Sequence, residues 1–389
     1  MNAATESADL ALYIHWPFCL SKCPYCDFNS HAMRGEVEET RWAKALLAEM
    51  GFEAARLPGR RLTSIFMGGG TPSLMSPAMI ARLIEAACGF WPPASELEIT
   101  LEANPATVET ARLADFRTAG VNRLSLGVQS LDDEALRFLG RRHDAAQARA
   151  AMAQAARIFP RFSFDLIYAY AGHDPARWRD QLTEAAQMAQ GGHISAYSLT
   201  IEPGTAFATQ TQRGAVLTTD EDTGAVLYDI TQDVLEAAGM PAYEVSNHAR
   251  PGQECRHNLT YWRYGEYAGI GPGAHGRLDL PQGRAATLRR RSPAVWLDQV
   301  ERDGHGTEDS TFLDIQDQRE EALLMGLRLG EGLSSALWEK RFGTPLLGAF
   351  DSHALERLIR GEFVVRDHQG LRTTAKGRRV LGAVLSALA

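Results

Sequence analysis

Three cysteines crowd into the segment Cys19-Leu-Ser-Lys-Cys23-Pro-Tyr-Cys26, the densest chemistry in the chain. Thiolates at this CxxxCxxC spacing can converge on one metal centre, and the set stops at three. A closed structural zinc site takes four protein ligands, for which His31 is the nearest additional donor. A [4Fe–4S] cubane on three thiolates leaves one iron open to a molecule that brings its own donors. A redox pair at Cys23 and Cys26 would leave Cys19 without a role. Further groups of the same kind follow: Gly68-Gly69-Gly70-Thr71-Pro72, then Glu102, Gln129 and Asp165. Taken singly they are a glycine turn, a strand-end carboxylate and a structural aspartate.

What gives them common meaning is the set of elements that must carry them. Short β-rich runs at residues 10–15, 62–67, 96–102, 123–127, 162–168 and 193–200 alternate with amphipathic helical patterns at 36–50, 77–87, 108–119, 145–158, 175–190 and 222–238. Ser76 before Pro77 and Asp174 before Pro175 are helix starts, because proline at the first helical position is pre-set for the turn. The alternation predicts an α/β fold, a partial (β/α)6 barrel, since no GxGxxG follows the first strand. In such barrels ligand groups sit at the C-terminal ends of strands. The cysteine loop, GGGTP, Glu102 and Gln129 all fall at such ends, and Asp165 lies within the fifth strand.

At 389 residues the chain exceeds one ordinary core. Hydrophobic residues at 45% and charged residues at 23% exclude disordered and fibrous classes. Forty basic against 48 acidic residues give a net charge of −8, which excludes a nonspecific grip on nucleic acid. Five cysteines, an odd number, point to a reducing compartment, with Cys88 expected in a core. The N-terminus lacks a basic n-region and no run approaches the roughly 18 apolar residues of a membrane span, so a cytoplasmic location is expected. A seventh strand is expected over 242–245, the glycine-dense 264–276 reads as a loop close to a ligand or another backbone, and Arg284–Arg291 reads as a solvated basic stretch. From Leu313 onward two helices, a β-ribbon turning at Gln369-Gly370 and a last helix suggest a small α+β winged-helix-like domain. The expected division is 1–285, a connecting segment 286–312, and 313–389.

The CxxxCxxC loop with Tyr25 before its last cysteine resembles the cluster loop of the radical S-adenosylmethionine (SAM) superfamily. In order, LYIHWPFC, CPYCDFNSH, FMGGGTPSL, LEANP, NRLSLGVQS, FDLIYAYAG, SLTIEPGT, YEVSNHA and HNLTYW are similar to the HemN/HemW group, the oxygen-independent coproporphyrinogen oxidases and their relatives. That resemblance implies a [4Fe–4S] cluster on Cys19, Cys23 and Cys26, and SAM contacts at Tyr13, Tyr25, Gly69, Gly70, Thr71, Glu102, Gln129, Arg141 and Asp165, with Arg142 adjacent to Arg141. The glycines would admit backbone close to the methionine amino group, and Glu102 would accept ribose hydroxyls. The oxidases are expected to carry Gly-Cys directly after the cluster loop, where this chain has Asp27-Phe28. That departure implies the HemW branch, haem chaperones that bind haem and pass it to acceptor haem proteins, respiratory ones included. His257 in HNLTYW is the implied haem ligand, with Cys255 two residues upstream. No catalytic residue is assigned. A porphyrinogen-acting radical SAM enzyme is the alternative, and the resemblance also allows a homodimer.

Overall fold

Strands form where aromatic and branched side chains alternate with small or polar ones. β1 (Asp9–Trp16), β2 (Arg61–Gly69), β3 (Pro93–Ala103), β4 (Arg123–Gln129), β5 (Arg161–Tyr168) and β6 (His193–Ser198) run parallel in sequence order. The computed structural model describes residues 8–105 and 110–388, so the first residues of the expected 108–119 helix lie outside the described residues. Helices α1 (Glu39–Arg56), α2 (Pro77–Phe90), α3 (Thr110–Thr118), α4 (Asp133–Phe138), α5 (Ala145–Ile158), α6 (Pro175–Met188), α7 (Ala206–Gln212) and α8 (Glu221–Ala237) belong to the parallel part of the fold. Ser76 and Asp174 cap α2 and α6 as the sequence predicts, and Asp144 with Gln147 closes a capping box on α5. Leu10, Leu12 and Ile14 of β1, Leu124, Leu126 and Val128 of β4, and Phe162, Phe164 and Leu166 of β5 form one core under the helices. The intervening residues face the other way and line the concave side of an open sheet.

Two later strand groups complete an eleven-stranded sheet. β7 (Asn247–Ala249) pairs antiparallel with β6. It follows the expected 242–245, where Ala242 makes only an isolated bridge to His248, and the Glu244 carboxylate accepts from Ser246 N at 2.8 Å and Asn247 Nδ2 at 2.5 Å in the turn between them. On the other edge β8 (Tyr267–Ile270) lies parallel to β1, followed by an antiparallel β9 (His275–Leu280), β10 (Gly283–Arg289) and β11 (Thr307–Phe312). The glycine-dense segment is therefore sheet as well as loop. Gly271 (φ +93) leaves no room for a side chain against the His15 carbonyl, so its close approach is to backbone.

The stretch 284–291 is not a solvated basic face, because strand pairing turns Arg284 and Arg289 inward, where they are 3% and 0% exposed. Arg284 pairs with Asp279 at 2.7 Å and lies 4.0 Å over the Tyr264 ring. Arg289 ion-pairs with Glu53 and lies 3.5 Å from Glu49. Residues 286–312, expected as a connector, include most of β10, a helix over Pro293–Asp303 and β11, whose strands are continuous with the main sheet. Beyond it, helices Ile315–Gly326, Ser335–Phe342 and Ser352–Arg360 pack with a ribbon of Val364–Arg366 and Gly370–Thr373. Leu323, Leu327, Trp338, Phe342, Leu371 and Val384 give this unit its own core, and Leu333–Ser334 adds a third short strand.

Glu49 accepts from Gly271 N at 2.8 Å, Trp296 Nε1 at 3.0 Å and Gly306 N at 2.6 Å, so this carboxylate and Arg289 tie α1 to the far edge of the sheet. Arg289→Ala leaves buried Glu49 without its cation and Glu53 with Arg56 alone, and the expected loss is about 3–5 kcal/mol. Urea denaturation checks it.

Candidate metal centre and cofactor cavity

The cysteine loop has little regular structure, so neighbouring backbone must hold it. Phe18–Cys19 pairs with His31–Ala32, closing the loop on itself. Lys22 Nζ donates to the Phe28 and Ser30 carbonyls at 3.3 and 3.2 Å. Asn29 Nδ2 donates to Pro272 O and Arg291 O, each at 2.9 Å, and Asn29 O lies 3.0 Å from His15 Nε2. From β2, Gly70 N donates to Trp16 O at 2.7 Å and Thr71 N to Phe18 O at 2.8 Å. A Cβ on Gly70 would stand 2.6 Å from Phe18 O, so glycine is what permits this approach.

Each thiol then meets one hydrogen-bonding partner. Thr71 Oγ1 donates to Cys19 Sγ at 3.4 Å, Arg141 Nη1 to Cys23 Sγ at 3.3 Å, and Ser30 Oγ lies 3.4 Å from Cys26 Sγ. Burial pushes the Cys19 and Cys26 thiols up, while the Thr71 and Ser30 bonds pull them back toward the thiolate. Thiolates on one zinc would stand about 4 Å apart, given Zn–S bonds of about 2.3 Å. Among the described residues no three such ligands converge on a single ion, His31 included. Three donor-supported thiols around a larger open space fit a [4Fe–4S] cluster with one iron facing inward.

Inward from the thiols lies a cavity of about 700 Å³ on the concave side of the sheet. Tyr25, Gly69, Gly70, Thr71, Glu102, Gln129, Arg141 and Asp165, residues expected from the sequence to contact SAM, all line it. Tyr13 stands behind this wall, its hydroxyl 3.1 Å from His15 Nδ1 and its ring stacked on Phe66. Arg141, rather than the exposed Arg142, points inward and also donates to Tyr25 OH at 3.3 Å and Gly127 O at 2.7 Å. Gln129 has φ 71 at a register shift between β4 and β5, a left-handed conformation that marks a site where geometry outweighs local strain. Desolvation and then the nearby Asp165 push the Glu102 carboxyl up to about 8, although Gly69 N donates to it at 3.2 Å. Desolvation likewise raises Asp165 to about 6.

His257 is not on this wall. It sits on helix α9 (Arg256–Trp262), which plugs the base of the sheet. Its Nδ1 is 2.8 Å from Ser64 Oγ, its Nε2 is 2.5 Å from Tyr261 OH, and its ring stacks on Phe66 at 5.1 Å. Burial, then the charge of Arg123, lowers its pKa to about 3. Cys255 lies buried against Glu98, with burial pushing its thiol up to about 12. Sequence reasoning missed Arg123, Ser125, Ser163, His193 and Ser195, which also line the cavity. Their signal was present as polar residues at alternate positions in strands β4 to β6.

The radical SAM superfamily pattern matches residues 13–182, and the HemN C-terminal domain pattern matches residues 313–380. The chain is 41% identical over 398 aligned residues to the bovine (Bos taurus) "Radical S-adenosyl methionine domain-containing protein 1, mitochondrial", covering 100% of this chain and 89% of the relative. To the "Heme chaperone HemW" of Escherichia coli strain K12 it is 43% identical over 293 residues, 74% of this chain and 75% of the relative. The chain belongs to the HemW family of the radical SAM superfamily. A solved coproporphyrinogen III oxidase, HemN of Escherichia coli, shares the fold with a TM-score of 0.83 at 24% identity, covering 99% of this chain and 91% of that one. HemW family membership implies a [4Fe–4S] cluster and SAM, and the thiol triad and cavity fit both.

A carboxyl whose folded pKa is raised contributes most to stability at low pH, and that contribution is lost as pH rises through the folded value. For Glu102 the loss builds between its ordinary 4.5 and about 8. Glu102→Gln should therefore gain thermal stability over the unsubstituted protein as pH rises across that window, with the gap levelling above it. Melting curves of ligand-free protein measure the gap, which should be smallest at the acid end.

Proposed function

We propose that the chain is a haem chaperone, which binds haem and passes it to acceptor haem proteins, respiratory ones included. The observation that carries this reading is its 43% identity to "Heme chaperone HemW". The HNLTYW segment, here within helix α9, supports it. Cys19, Cys23 and Cys26 would hold the cluster. Bound there, the cluster supplies a one-electron donor and an iron with a free coordination position. Gly69 and Gly70 would bring backbone to the methionine end of SAM, and Glu102 would accept from its ribose. Phe28, 57% exposed beside the thiols, stands where the resemblance places a further cysteine in the oxidases. That favours chaperone over oxidase. Among the described residues no helix is long and apolar enough to cross a membrane. All five cysteines are free thiols, as a cytosolic site would keep them.

His257 remains the proposed haem ligand. Its Nδ1 bond to Ser64 is buried, whereas the Nε2 bond to Tyr261 is only partly so. Iron would take Nε2 in place of the Tyr261 hydroxyl, with Nδ1 still orienting the ring. Titration of the anaerobically reconstituted protein with haem, followed in the Soret region, should show stoichiometric binding. His257→Ala should weaken it at least tenfold, while Tyr261→Phe, which frees Nε2, should retain it. Binding unchanged in His257→Ala would remove this ligand assignment. Decarboxylation of coproporphyrinogen III by the reduced protein with SAM would favour the oxidase reading instead.

A further inference from the structure

Inward of the SAM-facing layer, the cavity continues between β4, β5 and β6 toward helix α9. Arg123, Ser125, Ser163, His193 and Ser195 line this inner end, with Asn258 of α9. Arg123 is 2% exposed and donates from Nη2 to Ser163 Oγ at 3.0 Å, and Ser163 Oγ donates on to Ser125 at 3.1 Å. Among the described residues Arg123 forms no ion pair. Glu98 is paired with Arg161 at 2.8 Å, and Asp165 hydrogen-bonds Ser195. His193 is also 2% exposed, with Nε2 at 3.0 Å from Tyr243 OH and no partner on its buried Nδ1. Burial and the Arg123 charge keep this imidazole neutral. In the tautomer in which Tyr243 donates to Nε2, Nδ1 carries the proton and is a free donor.

The nearby Glu98 and Asp165 offset the burial of this guanidinium, and a ligand anion in direct contact would add charge-assisted hydrogen bonds. The cation, the free N–H and the hydroxyl chain together suit a carboxylate, whose two oxygens take several donors. Phe28, beside the thiols, and Tyr197, beside Ser195 and Asp165, also line the cavity, 57% and 39% exposed, and offer flat aromatic faces. The ligand these features fit has a flat apolar body and a carboxylate arm.

We propose that Arg123, with His193 and Ser163, seats a carboxylate arm of the molecule that enters this cavity, in this chain a propionate of haem. The proposal rests on the haem-chaperone reading. It is separable from the His257 assignment, because it concerns the propionate and not the iron.

The test compares haem with haem dimethyl ester, in which both propionates are neutral, by absorbance titration of the reconstituted full chain. The unsubstituted protein should bind haem at least about tenfold more tightly than the ester, the scale of one charged hydrogen-bonded contact. Arg123→Met should lose most of that preference while binding the ester as before, and Arg123→Lys should keep part of it. Equal binding of haem and ester by the unsubstituted protein would overturn the seat, whatever the variants do. So would a full preference retained in Arg123→Met. If the unsubstituted protein binds neither porphyrin, the chaperone reading itself fails and the seat falls with it.

Discussion

The interior of this half-barrel has to stay open and polar, and the rest of the structure is arranged around that constraint. A closed barrel fills its interior with layers of bulky branched side chains. Here the inward positions hold Ser125, Gly127, Ser163 and Ser195, and among them stand Arg123, Glu102 and Asp165. Such a lining buries little apolar area and raises the pKa of both carboxyls. Stability therefore comes from the outer face, where Leu124, Leu126, Val128, Phe162, Phe164 and Leu166 meet the helices. One strand face serves packing and the other serves ligands.

The same constraint explains why the cysteine loop is held from its far side. Interior residues reach it through Thr71 and Arg141, but His15 fastens it to β1 and Asn29 fastens it to the strand-rich segment beyond Tyr267. That segment is fixed in turn by Glu49, which holds Gly271, Trp296 and Gly306 at once. Residues more than 200 positions apart thus share one hydrogen-bond network with the cluster site. A buried carboxylate with three donors is an expensive element that its partners over-determine.

Much of this was legible in the sequence. The thiol spacing, the strand-end glycines and the capped helices are local signals, and the structure places them where period and capping chemistry predict. The polar lining was legible in principle, since NRLSLGVQ alternates small or charged residues with Leu and Val. What stayed hidden depends on partners far along the chain. Arg284 and Arg289 read as solvated until strand pairing brings Asp279, Glu49 and Glu53 to them. The glycine-dense segment reads as loop until β1 lies beside it. Nothing local to HNLTYW reveals that Ser64 and Tyr261 hold both nitrogens of His257.

An arrangement of three thiolates holding a cluster whose open iron faces the cavity is what the rest of the structure serves. Electron paramagnetic resonance of the reduced, anaerobically reconstituted protein, recorded before and after SAM is added, tests it most directly. The expected result is a [4Fe–4S]⁺ signal whose g-values shift when SAM binds the open iron, and loss of that signal when Cys19, Cys23 and Cys26 are replaced together. A cluster signal that SAM leaves unchanged, or bound zinc in place of iron and sulfide, would contradict it.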